Sequence, residues 1–224
     1  MIRVTVVADP GDADPGWVGD RLRERGATLH TMYRNAFSQL PPSDLLLLLG
    51  SADAVYDELR AGAVEAESAL VREAMASGVP VIAICYGAQL TAHALGGSVR
   101  ALDRGEVGWF EITSFDASLC PPGPWLQFHS DVFTPPPGSR VLGVTDVGPQ
   151  GFALDPVDGA AGVVAWQFHP EATPAIVERW VGEAGEYVTR HGGDPEAVVH
   201  LPTAARARTF ALLDAAVEHL LGAR

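Results

Sequence analysis

Cysteine is scarce in this chain. Two cysteines in 224 residues, Cys85 and Cys120, cannot build a disulfide framework, so a reducing, cytoplasmic setting is expected. Basic charge is scarce too: 15 Lys and Arg face 28 Asp and Glu, giving a net charge of −13 and a pI near 4.8. No local cluster of cations offsets that balance, so neither nucleic acid nor an anionic membrane surface is an expected partner. Long apolar runs are also missing. Even the all-leucine run Leu45 to Leu49 is far too short to span a bilayer. The opening MIRVTVVADP lacks the basic head and apolar centre of a signal peptide. No repeat, low-complexity tract or linker divides the chain, which predicts one domain over 1–224. What is present is apolar material for a core: 47% hydrophobic residues and a mean hydropathy of +0.13, which argues against disorder.

The apolar pattern alternates between strand and helix. Residues 2–8, 44–49 and 79–84 read as buried strands, 27–33 reads as a further strand, and 17–25, 63–77 and 87–95 read as helices between them. Gly26 and Gly78 stop the first two helices. Such alternation predicts an α/β fold with an open, mostly parallel sheet and helices on both faces. From residue 98 the pattern changes to short strands at 109–115, 125–129, 141–145, 151–154 and 163–168, separated by Pro and Gly. Helices at 174–190 and 203–221 form a C-terminal extension over about 174–224, suited to packing on the sheet or to a contact between two copies.

The most informative stretch is Val79-Pro-Val-Ile-Ala-Ile-Cys85-Tyr-Gly87-Ala-Gln89-Leu. A buried strand runs into a cysteine and a helix begins at once, with Ala83 and Gly87 two positions either side. This is the spacing of a nucleophile elbow, in which a sharp turn forces the side chain out at the carboxyl edge of the sheet. Free N–H groups and the positive dipole end of the helix favour a thiolate there. A cysteine ending a core strand also suits plain packing. Further on stands Trp166-Gln-Phe168-His169-Pro170-Glu171. A thiolate nucleophile needs a base, and the base needs a carboxylate to hold its tautomer. A strand-end His followed two residues later by Glu offers both.

With these motifs in place, the chain resembles the class I glutamine amidotransferases of the Cys-His-Glu type. Within them it is similar to stand-alone members related to the glutaminase domain of GMP synthase, a group that includes γ-glutamyl peptidases. The likeness is carried by Leu48-Leu49-Gly50-Ser51, Ile84-Cys85-Tyr86-Gly87-Ala88-Gln89-Leu90, Ala94-Leu95-Gly96-Gly97-Ser98-Val99, His129-Ser130-Asp131, Gln150-Gly151-Phe152 and Gln167-Phe168-His169-Pro170-Glu171. The resemblance implies a flavodoxin-like core with extra antiparallel strands. It also implies that Cys85 attacks the γ-carbonyl of a glutaminyl group, that His169 moves the proton, and that Glu171 orients His169. Backbone N–H groups of Tyr86 and Ser51 would form the oxyanion hole. Gly50, Gln89, His129, Ser130 and Asp131 would hold the amino-acid head, Asp131 pairing with the α-ammonium. The family usually has Gly-Gly-Pro where this chain has Gly50-Ser51-Ala52. Serine is tolerated there at negative φ and strained at positive φ.

The expected function is hydrolysis of the γ-amide of glutamine through a Cys85 thioester. The ammonia would pass to a synthase on a separate chain, since 224 residues leave no room for one. Two alternatives stand beside it: a γ-glutamyl peptidase or hydrolase working without a partner, and a catalytically silent regulatory subunit. No cofactor is expected. The histidines show no metal-ligand spacing, so no metal is expected either.

Overall fold

The computed structural model describes residues 1–34, 39–157 and 160–222; the last two residues of the expected C-terminal extension lie outside them. The first half follows the predicted alternation: β1 (Arg3–Ala8), α1 (Gly16–Glu24), β2 (Thr28–Tyr33), β3 (Leu45–Leu48), α2 (Ala61–Ala76), β4 (Val81–Ile84) and α3 (Tyr86–Ala94). The second half adds β5 (Ser98–Glu111), β6 (Thr113–Ser114), β7 (Pro124–Thr134), β8 (Arg140–Thr145), β9 (Gly148–Leu154) and β10 (Val163–Trp166). Helices α4 (Pro174–Arg190), α5 (Pro195–Val198) and α6 (Ala205–Leu221) follow.

Eight strands form one sheet in the order β2-β1-β3-β4-β10-β9-β8-β6. Neighbours from β2 to β10 are parallel, and β9, β8 and β6 continue the sheet antiparallel. β3 shows why this core needs no polar face. All four of its leucines are buried, with Leu45 and Leu47 turned to one side and Leu46 and Leu48 to the other. Side chains alternate across a strand, so a strand covered on both faces reads as an unbroken apolar run. The first face is covered by α1 and α6 through Val18, Leu22, Leu213 and Val217, and the second by α2 and α3 through Leu70, Val71, Ala88 and Ala92.

The region after residue 98 departs from expectation. The stretch expected as one strand at 109–115 divides between the end of β5 and the two-residue β6, and that at 125–129 lies within the longer β7. β5 spans 14 residues, β7 spans 11, and the pair forms a separate antiparallel ribbon. The first half of β5 is mostly exposed and polar, so it carries no apolar period, and its pairing slips between Ala101 and Glu106. α4 packs on this ribbon, not on the main sheet, joining Val177 and Val188 to Val107, Leu126 and Val198. The unpredicted α5 is a single turn, with Asp194 capping Glu196 N–H and Pro195 at its first position. Among the described residues no helix is long and apolar enough to cross a membrane.

Candidate active site

The site is built where β4 meets α3. Cys85 is the junction residue, with φ 52° and ψ −112°, the only left-handed φ of a non-glycine residue among those described. Holding an L side chain there costs about 1–3 kcal/mol, so surrounding structure must enforce it. Here Cys85 N–H donates to the Trp166 carbonyl at 2.8 Å, and the Cys85 carbonyl accepts the Gln89 N–H at 3.0 Å. Gly87 lets the start of α3 press onto β3: a Cβ there would stand 2.6 Å from the Leu48 oxygen. The Gln167 amide Nε2 donates toward Cys85 Sγ at 3.7 Å, and its Oε1 accepts from Gln89 Nε2 at 3.3 Å.

β10 lies beside β4 in parallel, so its continuation reaches the same sheet edge. His169 N–H is tied to the Leu126 carbonyl at 2.9 Å, and its ring Nδ1–H donates to Glu171 Oε1 at 2.8 Å. The Glu171 backbone is fixed from α1, where Trp17 N–H donates to its carbonyl at 3.0 Å. Gly16 sits at φ 46°, and a Cβ on it would stand 1.9 Å from that same oxygen, so only glycine fits. The Trp180 ring lies edge-on to the imidazole with centroids 4.8 Å apart. Burial opposes an imidazolium here. The Glu171 carboxylate and a Cys85 thiolate outweigh it, and the His169 pKa stands well above its ordinary value. Cys120 is the contrast. It is fully buried away from this cavity, and burial pushes its thiol up to about 12.

Gly50 and Ser51 follow β3 and come close to both groups. A Cβ on Gly50 would lie 3.3 Å from His169 Cε1 and 3.7 Å from Cys85 Cβ. Ser51 is not among the residues with positive φ, so the departure from Gly-Gly-Pro brings no backbone strain. Its Oγ accepts the Asp53 N–H at 3.1 Å, which makes Ser51 a turn former as well.

Cys85, His169, Gly50, Ser51, Gln89, His129, Ser130 and Asp131 all border one cavity of about 510 Å³. The side chain of Tyr86 is buried beneath it with Val55, Val64 and Leu90. Asp131 is held by the Tyr56 hydroxyl, which donates to Oδ1 at 2.7 Å. Burial and that bond push the Tyr56 phenol up to about 12. His129 is engaged at both ring nitrogens, Nδ1 against the Asp131 carbonyl at 2.9 Å and Nε2 against Gln127 Oε1 at 3.1 Å. It therefore braces the stretch of β7 that carries Asp131 and offers the cavity no free nitrogen. Among the described residues no group of three or more His, Cys, Asp or Glu is arranged to hold a metal ion.

Several lining residues were missed by sequence reasoning. Asp12, Arg179, Trp180, Glu183 and Tyr187 form the side of the cavity given by α4 and the β1–α1 loop. Trp180 Nε1 donates to Asp12 Oδ2 at 2.8 Å, and Arg179 pairs with the same carboxylate. Trp180 and Tyr187 are spaced seven apart on an amphipathic helix, and that aromatic stripe was the available signal.

The sheet edge thus brings together a strained cysteine at a strand–helix turn, a buried His–Glu pair just past the neighbouring strand, and a shared cavity. The sequence model for "Glutamine amidotransferase class-I" matches residues 6–178, and the chain belongs to that family. The GMP synthase (glutamine-hydrolysing) of Thermus thermophilus is 37% identical over 119 residues, which cover 49% of this chain and 23% of that protein. The GMP synthase of a Parafrankia strain is 34% identical over 152 residues, 65% of this chain and 25% of that protein. The chain thus spans about a quarter to a third of the length of such relatives. Among solved structures, a glutamine amidotransferase from Thermotoga maritima superposes with a TM-score of 0.83 at 22% identity, over 99% of both chains. One from Methylobacillus flagellatus gives 0.78 at 20% identity, over 98% of this chain and 94% of that one. These last two likenesses concern the fold.

Proposed function

We propose that the chain hydrolyses the γ-amide of glutamine through a γ-glutamyl thioester on Cys85. The observation that carries the reading is the strained Cys85 junction opening into the cavity that His169 also lines, with Glu171 bound to the far side of the imidazole. The Cys85 thiolate adds to the γ-carbonyl carbon, and the carbonyl π electrons move onto oxygen. Ser51 and Tyr86 N–H groups receive that oxyanion. Collapse breaks the C–N bond, and His169 gives its proton to the leaving ammonia. Water, deprotonated by His169, then attacks the thioester and releases glutamate. Asp131 takes the α-ammonium of the substrate, and Gln89 steadies the sulfur through Gln167.

Family membership and the likeness to part of GMP synthases support an ammonia consumer as partner, which we place on a separate synthase. A second reading keeps the chemistry and enlarges the substrate. The cavity continues past Cys85 to Asp12, Arg179, Glu183 and Tyr187, which leaves room for an amine larger than ammonia on a γ-glutamyl conjugate. A silent regulatory role gains no support from a site with Cys85, His169 and Glu171 all in place. The purified chain, assayed on glutamine and on a panel of γ-glutamyl amides, is expected to release glutamate. Cys85→Ala is expected to lower that release by at least about 1,000-fold. Activity retained in Cys85→Ala overturns the mechanism, and turnover of conjugates but not of glutamine favours the second reading.

A further inference from the structure

Arg34 is a buried cation that the reaction as written does not use. It stands just past β2 and is 2% exposed. Its Nη2 donates to the Leu49 carbonyl at 2.6 Å, and its Nη1 donates to the Gly50 carbonyl at 3.0 Å. Its Nε donates to Glu67 Oε2 of α2 at 3.1 Å, and Asp9 Oδ1 lies 3.5 Å from Nη1. The guanidinium carbon also sits 5.0 Å from the centre of the Tyr86 ring. One side chain therefore touches the loop of one expected oxyanion donor and the residue that supplies the other.

We propose that Arg34 is a positioning residue for the oxyanion hole, a role that rests on the Cys85 thioester reading. The Gly50 carbonyl and the Ser51 N–H belong to one peptide unit, and no described peptide bond is cis. In a planar trans peptide these two groups point in opposite directions. Fixing the Gly50 oxygen on Arg34 fixes the Ser51 N–H on the other side of the chain, where Gly50 approaches Cys85 and His169. The same guanidinium holds two successive carbonyls from two nitrogens of one rigid plane, a geometry that the rotating donors of an ammonium do not fix. Glu67 and Asp9 anchor the fork from α2 and from the end of β1. Stacking on Tyr86 ties the start of α3 to the same group. An aligned donor lowers the barrier only where oxyanion charge develops, so the effect belongs in kcat.

The test compares wild type, Arg34→Lys and the double variant Arg34→Met/Glu67→Leu, which fills the same space with apolar groups and removes the buried Glu67 carboxylate together with the cation. Two rates are measured. One is steady-state hydrolysis of the γ-glutamyl amide that wild type turns over best. The other is alkylation of Cys85 by iodoacetamide, a displacement at carbon that builds no oxyanion. We expect kcat to fall roughly 10- to 100-fold in both variants with KM within about 3-fold, and Cys85 alkylation to stay within about 2-fold of wild type. Equal losses in turnover and alkylation, or unchanged kcat in a folded variant, overturn the positioning role alone. Wild-type protein inactive on every amide, or active without Cys85, overturns the thioester reading and the role with it. Should Arg34→Lys fail to fold, the double variant carries the same comparison.

Discussion

Glu171 holds one ring nitrogen of His169, and both side chains are buried. Its effect can be read in stability as well as in rate. The folded-state pKa of His169 is raised, so the imidazolium form stabilises the fold. That contribution is complete below the unfolded value of about 6.5 and is lost as pH rises through the higher folded value. Glu171→Gln removes the main charge that holds the imidazolium. Urea midpoints of wild type and Glu171→Gln should therefore differ most near pH 6 and converge well above neutrality. A difference that grows with pH would contradict the pairing. Chain order made His169 and Glu171 legible, because they lie on one strand end. Arg34 was not legible, because a lone arginine after a strand carries no motif. Its partners Leu49, Gly50, Glu67 and Tyr86 sit on three other elements.

Among the elements, the decisive contact is α3 against β3. Gly87 is where they touch, and a Cβ would meet the Leu48 oxygen at 2.6 Å and the Leu48 Cβ at 2.8 Å. A backbone oxygen cannot swing aside as a side-chain tip can. Gly87→Ala is expected to cost about 1–3 kcal/mol of stability and to push the start of α3, with Cys85 and Tyr86, away from Gly50. Thermal unfolding and the rate of Cys85 alkylation check both halves, and unchanged values for each would contradict the close approach. Strands β1, β3 and β4 were readable because each is an apolar run bounded by Pro or Gly, while the half-exposed edge strand β2 was readable from its place after the helix stop at Gly26. The ribbon of β5 and β7 was not. Its polar first half is held by cross-strand pairing, not by burial, and pairing leaves no period in the sequence. For the same reason α4 could be recognised as a helix, while the surface it covers could not.

Across the whole molecule, acidity and apolar content argued against some partners and named none. The fold class was readable because a parallel sheet needs alternating βα units, and these were present before residue 98. The position of the site followed from the same rule, since β4 and β10 are neighbours and present their ends at one edge. The wall of the cavity given by α4 and the β1–α1 loop was hidden. Asp12 and Arg179 meet across the cavity from opposite ends of the chain, a contact that only the folded structure brings about. The claim at the centre is covalent: glutamate is carried on the Cys85 sulfur between two half-reactions. Rapid quenching of the enzyme in acid during turnover of glutamine or a γ-glutamyl amide, followed by peptide mass spectrometry, reads that claim directly. We expect one glutamyl group on the peptide containing Cys85, none on the peptide containing Cys120, and loss of the adduct on treatment with hydroxylamine. Steady turnover with no adduct on Cys85 at any quench time, and equal turnover by Cys85→Ala, would contradict it.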